Sequence, residues 1–233
     1  MIPRLSQMFA GWAKDDPPTM KKLPIEVDIP NYVAHTNYLP GTSYGDQAVG
    51  DLVLIAFYYL LRVGEYTMKA TRNNTKQTVQ FKVEDITFFG HDDSGRLRQL
   101  SFTVTDTERL HAHSATMKLD NQKNGWKGVC IHQESNGNKF TCPVKALARR
   151  INHIKSHTSD QKVAISAFYQ KGNRYDIMDK DIQCSLKSAT TLLNHPTYRG
   201  IPLDRIDTHS LRSGGANALA LSGFSDREIQ KMG

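Results

Sequence analysis

His209 and Arg212 stand three positions apart in the stretch Thr208-His209-Ser210-Leu211-Arg212-Ser213-Gly214-Gly215-Ala216. Asp207 or Thr208 can serve as an N-cap, and small and apolar residues follow through Leu221, which predicts the opening of a buried helix. Helical residues three apart share a face, so an imidazole and a guanidinium would lie side by side. That pair suits a phosphodiester. Arginine binds two oxygens in a fixed fork, and histidine exchanges a proton near neutral pH. The plainer alternative is that His209 caps the helix and Arg212 pairs with a nearby acid.

Two further cations could join them. Asp46 to Leu61 reads as a helix that is apolar nearly all round and therefore deeply buried, with Gly64 placed to end it. Arg62 sits at its mouth, where a charge is costly unless it is paired or faces an anionic ligand. Its alternative partner is Glu65, three positions on. Lys123 lies in Asp120-Asn121-Gln122-Lys123-Asn124-Gly125-Trp126-Lys127-Gly128, between the strand-like Ala115–Leu119 and Val129–His132. Asn-Gly is a hairpin-turn signal, so Lys118, Lys123 and Lys127 would make a basic hairpin tip. Such a tip can contact phosphate, or simply guard a sheet edge with lysines.

The remaining elements must hold these groups. Val83–Phe89 reads as a strand closed by Gly90, and Leu100–Thr105 alternates as a half-buried strand would. From Pro143 a helix is expected, with an apolar stripe from Val144 to Ile154. Lys145, Arg149 and His153 recur every four residues on another face, which either tracks a DNA backbone or is merely solvated. Ile182–Leu193 reads as a helix and Asn194–Pro202 as a loop. Ser225 and Glu228 form a capping box for a last helix. The expected class is α+β, mostly helical with a small antiparallel sheet carrying a hairpin. At the other end, residues 1–14 read as a short amphipathic helix. Pro17, Pro18, Pro24 and Pro30 mark an extended linker or lead-in reaching to about residue 45.

Composition narrows the partners. The 233 residues carry a formal charge of +7, which favours a polyanion, nucleic acid before membrane. The longest apolar run, Leu52–Leu61, is too short to span a bilayer, and no signal peptide is visible, so an intracellular location is expected. Cys130, Cys142 and Cys184 are odd in number and widely spaced, which argues against a disulfide framework. His111 with His113, and His153 with His157, lack the third and fourth ligands that a zinc site needs. Nucleotide-binding and α/β-hydrolase motifs are absent from the sequence.

The order of these pieces resembles the tyrosine recombinase (phage integrase) superfamily. The matching segments are Leu61-Arg62-Val63-Gly64-Glu65, the strand Glu84–Phe88, the hairpin Gln122–Gly128, Cys142-Pro143-Val144-Lys145-Ala146-Leu147 and His209–Ala216. Ser-Leu-Arg-Ser-Gly-Gly-Ala is most similar to recombinases of eukaryotic mobile elements such as Cryptons, which would imply the nucleus. In the family a tyrosine attacks a DNA phosphate to give a 3′-phosphotyrosyl link and a free 5′-hydroxyl, with no metal, ATP or other cofactor. The resemblance implies that Arg62 and Arg212 clamp the phosphoryl oxygens. It also implies that Lys123 protonates the leaving 5′-oxygen and that His209 handles the nucleophile's proton. The implied partner is double-stranded DNA, with Lys118, Lys127, Lys145 and Arg149 as backbone contacts.

The departures from the family pattern shape the expectation. Relatives place a Trp or His and then the nucleophilic Tyr beyond the position of Gly233, whereas every tyrosine here precedes Arg212. Residues 1–14 would be a remnant of the core-binding domain, residues 15–45 a lead-in, and 46–233 a catalytic domain truncated at its C-terminal end. Family members assemble as dimers or tetramers on DNA, which is doubtful for so short a form. The expected function is a DNA-binding recombinase fragment unable to cleave by itself. The alternative is a non-catalytic DNA- or partner-binding protein derived from a mobile element.

Overall fold

The computed structural model describes residues 22–68, 79–119 and 128–232. Its architecture is α+β, with helices gathered around one deeply buried helix and a four-stranded antiparallel sheet on one side.

That central helix, α2 (Tyr44–Tyr58), is buried at every position from Ala48 to Phe57. Its start is set by a reciprocal capping box between Ser43 and Asp46. It ends earlier than expected, and not at Gly64. Leu60 takes a left-handed conformation, and Leu61 N–H closes back on the Ala56 carbonyl at 3.0 Å. Gly64 instead lies inside a separate single turn, α3 (Val63–Tyr66). Against α2 pack α1 (Asp28–Thr36), α5 (Pro143–Lys155) and α8 (Thr208–Leu221).

The expected lead-in is therefore corrected from residue 22 onward. Ile25, Ile29, Val33 and Ala34 are buried in the same core as α2. Pro30 is accommodated in the first turn of α1, where its missing N–H costs nothing. Residues 1–14, the suggested domain remnant, lie outside the described residues.

The sheet runs β2-β1-β3-β4, from β1 (Ile86–His91), β2 (Leu97–Gln99), β3 (Ser114–Leu119) and β4 (Val129–Glu134). The β3–β4 hairpin pairs Leu119 with Val129, as the flanking residues predict. Two strand expectations change. Val83–Asp85 forms a 3-10 turn, because Asp85 accepts the Lys82 N–H at 2.7 Å, so β1 starts only at Ile86. Leu100–Thr105 is not a strand. Its hydroxyls bind locally: Ser101 accepts the Thr103 N–H, and Thr105 caps α4 (Asp106–Leu110) in a box with Glu108. Alternation there reflects side chains that compete with the sheet ladder.

After α5 come the hairpin β5 (Ala167–Gln170) and β6 (Asn173–Asp176), and then α6 (Asp179–Leu192). The expected loop 194–202 contains one helical turn, α7 (His195–Tyr198). The capping box of Ser225 and Glu228 starts α9 (Asp226–Met232). Among the described residues no helix is long and apolar enough to cross a membrane.

Candidate functional site

The site is built where the turn after α2 meets the start of α8. Asp207 is the N-cap of α8, accepting the His209 N–H at 2.7 Å, while the Ser210 hydroxyl accepts the Asp207 N–H at 3.2 Å. These bonds fix the helix phase, with Ser210 and Leu211 turned inward, Arg212 half-buried and His209 exposed.

Gly214 and Gly215 let this helix approach its supports. A Cβ on Gly214 would strike the Ile25 backbone, and one on Gly215 the Phe57 carbonyl and the Leu60 side chain. The helix is thus clamped between the end of α2 and the strap of residues 22–27. That strap is tied down by Leu23 N–H to the Arg205 carbonyl (2.9 Å), Ile25 N–H to the Ser210 carbonyl (3.3 Å) and Lys22 Nζ to the Asp204 carbonyl (2.7 Å).

Opposite, Arg62 is extended and starts the α3 turn. Glu65 folds back to accept the Arg62 N–H at 2.7 Å and its Nη1 at 3.4 Å. The ion pair anticipated as the plainer alternative is therefore present. It does not exhaust the site. Arg212 is pulled below the usual guanidinium range first by burial and then by repulsion from Arg62, with Glu65 opposing the shift. Arg62 and Glu65 thus lie within electrostatic reach of Arg212, while Glu65 bonds directly to Arg62. Arg212 Nη1 is buried with no hydrogen-bond partner among the described residues. A buried, unpaired donor beside a second guanidinium is costly without a ligand, and an anion supplies the missing acceptor. The α8 N-terminus, on the same side as His209, favours negative charge too.

Tyr66, next to Glu65, is fully buried and its hydroxyl has no partner among the described residues. Burial and the carboxylates of Asp207, Glu65 and Asp179 hold it well above the ordinary phenol range, so it stays neutral. That environment is the reverse of what activates a nucleophile.

The expected DNA-contact residues are treated differently. Lys123 and Lys127 lie outside the described residues. Lys118 is on the exposed face of β3, opposite Cys130. Arg149 turns inward: Nε and Nη2 bind Asp51 Oδ1 at 2.8 and 2.6 Å, Nη1 and Nη2 reach the carbonyls of Lys139 and Phe140, and the group stacks on Tyr38. The basic helix face expected along Lys145, Arg149 and His153 is thus largely consumed by the fold. Lys145 Nζ binds the Gly137 carbonyl at 2.7 Å, and His153 Nε2 accepts the Tyr169 N–H at 2.9 Å. Glu65, first read only as a neutralising partner, is the residue whose part in the site sequence reasoning undervalued. Its spacing from Arg62 was visible, but its closeness to Arg212 was not. Among the described residues no group of three or more His, Cys, Asp or Glu side chains could hold a metal ion.

No family model matches the chain, and no curated protein does. Among solved structures it is similar to the Tn1549 transposon integrase in complex with transposon right end DNA, at 13% identity and a TM-score of 0.43. The match covers 93% of this chain and 59% of that solved chain, so the present chain spans little more than half of the length it is compared with. A likeness at this level assigns no residue roles.

Proposed function

We propose that this chain holds the phosphate-binding part of a tyrosine-recombinase-like catalytic domain, with double-stranded DNA as its partner. The observation that carries the reading is Arg212, half-buried within electrostatic reach of Arg62 and with Nη1 lacking a partner among the described residues. Two arginines within electrostatic reach of each other, with one carboxylate bound to Arg62, leave net positive charge in this region, and two oxygens of one phosphodiester would neutralise it. Glu65 keeps Arg62 in place and lessens the repulsion between the guanidiniums. His209, exposed one turn ahead of Arg212, can exchange a proton with an oxygen of the bound phosphate. Lys123 would serve the leaving oxygen, as the family resemblance implies. No tyrosine follows α8 within these 233 residues, so they are expected to bind DNA without a covalent link.

The test is binding of a short DNA duplex, followed by fluorescence anisotropy at several salt concentrations, for the wild type, Arg62→Ala and Arg212→Ala. Losing a hydrogen bond from a charged group costs about 1.5–3 kcal/mol, so each variant should bind roughly 10- to 100-fold more weakly. Arg212→Ala should keep or raise the melting temperature, since it removes a buried donor without a partner. Wild-type affinity in Arg212→Ala would refute the reading. A suicide substrate should trap no adduct, and a phosphotyrosyl complex would show that an earlier tyrosine serves as nucleophile.

A further inference from the structure

Leu60, the residue that closes α2, has φ of +53°. Glycine enters this left-handed region freely, whereas a side chain with a Cβ is disfavoured there. Lys171 and Asn194 are the other non-glycine cases among the described residues. Lys171 is exposed at the β5–β6 turn, and Asn194 has a short polar side chain that tolerates this conformation. Leu60 has neither excuse, because it is only 3% exposed and wholly apolar.

The hydrogen bonds that end the helix do not require leucine. Tyr59 N–H to the Ile55 carbonyl and Leu61 N–H to the Ala56 carbonyl are backbone bonds, and glycine is the usual residue at such a position. What glycine cannot supply is the side chain. Leu60 Cδ2 lies within 3.0 Å of the point that a Gly215 Cβ would occupy, so it fills the hollow left by that glycine on α8. Arg62 is two residues beyond Leu60, and Arg212 is three residues before Gly215. One buried side chain therefore connects the mounts of the two guanidiniums.

We propose that Leu60 is a positioning residue: its side chain, held in an unfavourable backbone conformation, sets the spacing of Arg62 and Arg212 for one phosphate. The proposal rests on the phosphate-binding reading of that pair. Like charges repel, and Glu65 grips only Arg62 directly, so the spacing must come from how the turn and α8 are seated on each other. Residues kept in disfavoured conformations gather at sites where geometry matters more than local comfort.

The experiment measures affinity for a short DNA duplex in Leu60→Gly, Leu60→Asn and Leu60→Met, each alone and combined with Arg212→Ala, together with thermal melting. Glycine and asparagine both suit the backbone and lack the apolar side chain, while methionine keeps an apolar side chain of similar size. The expected result is about tenfold weaker binding for the Gly and Asn variants, near wild-type binding for Met, and no further loss when Gly or Asn joins Arg212→Ala. Equal losses with and without Arg212, or no loss in either, would overturn the proposal. So would failure of both the Gly and Asn variants to melt cooperatively, since that marks a purely structural role. Should Arg212→Ala itself bind like the wild type, the phosphate reading fails first and this proposal with it.

Discussion

The backbone of Gly215 on α8 lies so close to the carbonyl oxygen of Phe57 on α2 that a methyl group added at Gly215 would overlap it. This approach brings the helix carrying His209 and Arg212 against the end of the helix that leads into Arg62. Glycine is needed here for space and not for its backbone freedom, because the position is ordinary α-helix.

Gly215→Ala is accordingly expected to destabilise the fold. Helix propensity alone would favour alanine by about 1 kcal/mol. Overpacking costs about 1–3 kcal/mol, occasionally more. A main-chain carbonyl inside a buried helix cannot swing aside, so steric cost should win by roughly 2 kcal/mol. For a chain of this size that lowers the melting temperature by about 4–8 °C. A melting temperature equal to or above wild type would show that α8 can shift away cheaply.

Arg149→Ala should be a stability variant and not a DNA-binding one. It leaves the side chain of Asp51, 1% exposed, with the Tyr38 hydroxyl at 2.7 Å as its one remaining partner among the described residues. Removing one member of a buried ion pair typically costs about 3–5 kcal/mol. Urea denaturation measures the loss. A cost below about 1 kcal/mol accompanied by weaker DNA binding would return Arg149 to the nucleic-acid surface.

His153 makes stability depend on pH. Its Nε2 accepts the Tyr169 N–H, so that nitrogen must remain unprotonated. Burial, then the charges of Arg150 and His157, lower its pKa from 6.5 to about 4. The unfolded chain takes up a proton near 6.5, while the folded chain resists until about 4. Unfolding therefore gains a proton between these values, and stability present above the upper value is lost as pH falls toward the lower one. Urea midpoints at about pH 7.5 and pH 5 should differ, and His153→Gln should reduce the difference. An unchanged pH dependence in the variant would place the responsible group elsewhere.

Part of the site was legible before the structure. A helix capped at Asp207 or Thr208, which the structure resolves to Asp207, and the strand-like segments that pair as β3 and β4 follow from neighbours within a few residues. The strand misread at Leu100–Thr105 has the same local origin, since alternating Ser and Thr satisfy either a ladder or a chain of turns and caps. Leu60 left no signal of its kind, because a left-handed leucine departs from the residue preference by which such positions are recognised.

The amino-acid sequence by itself determined which cations are present, their order, and the helix and turn on which His209, Arg212 and Arg62 ride, because capping and periodicity act over one or two turns. Tertiary structure alone decided what those cations meet. Arg149 finds Asp51 across 98 positions of chain and leaves the surface, whereas Arg212 comes within electrostatic reach of Arg62 with Nη1 unpartnered among the described residues. The physical reason is that a charge's role is set by its burial and by the number of acceptors within reach, and both depend on contacts between distant segments.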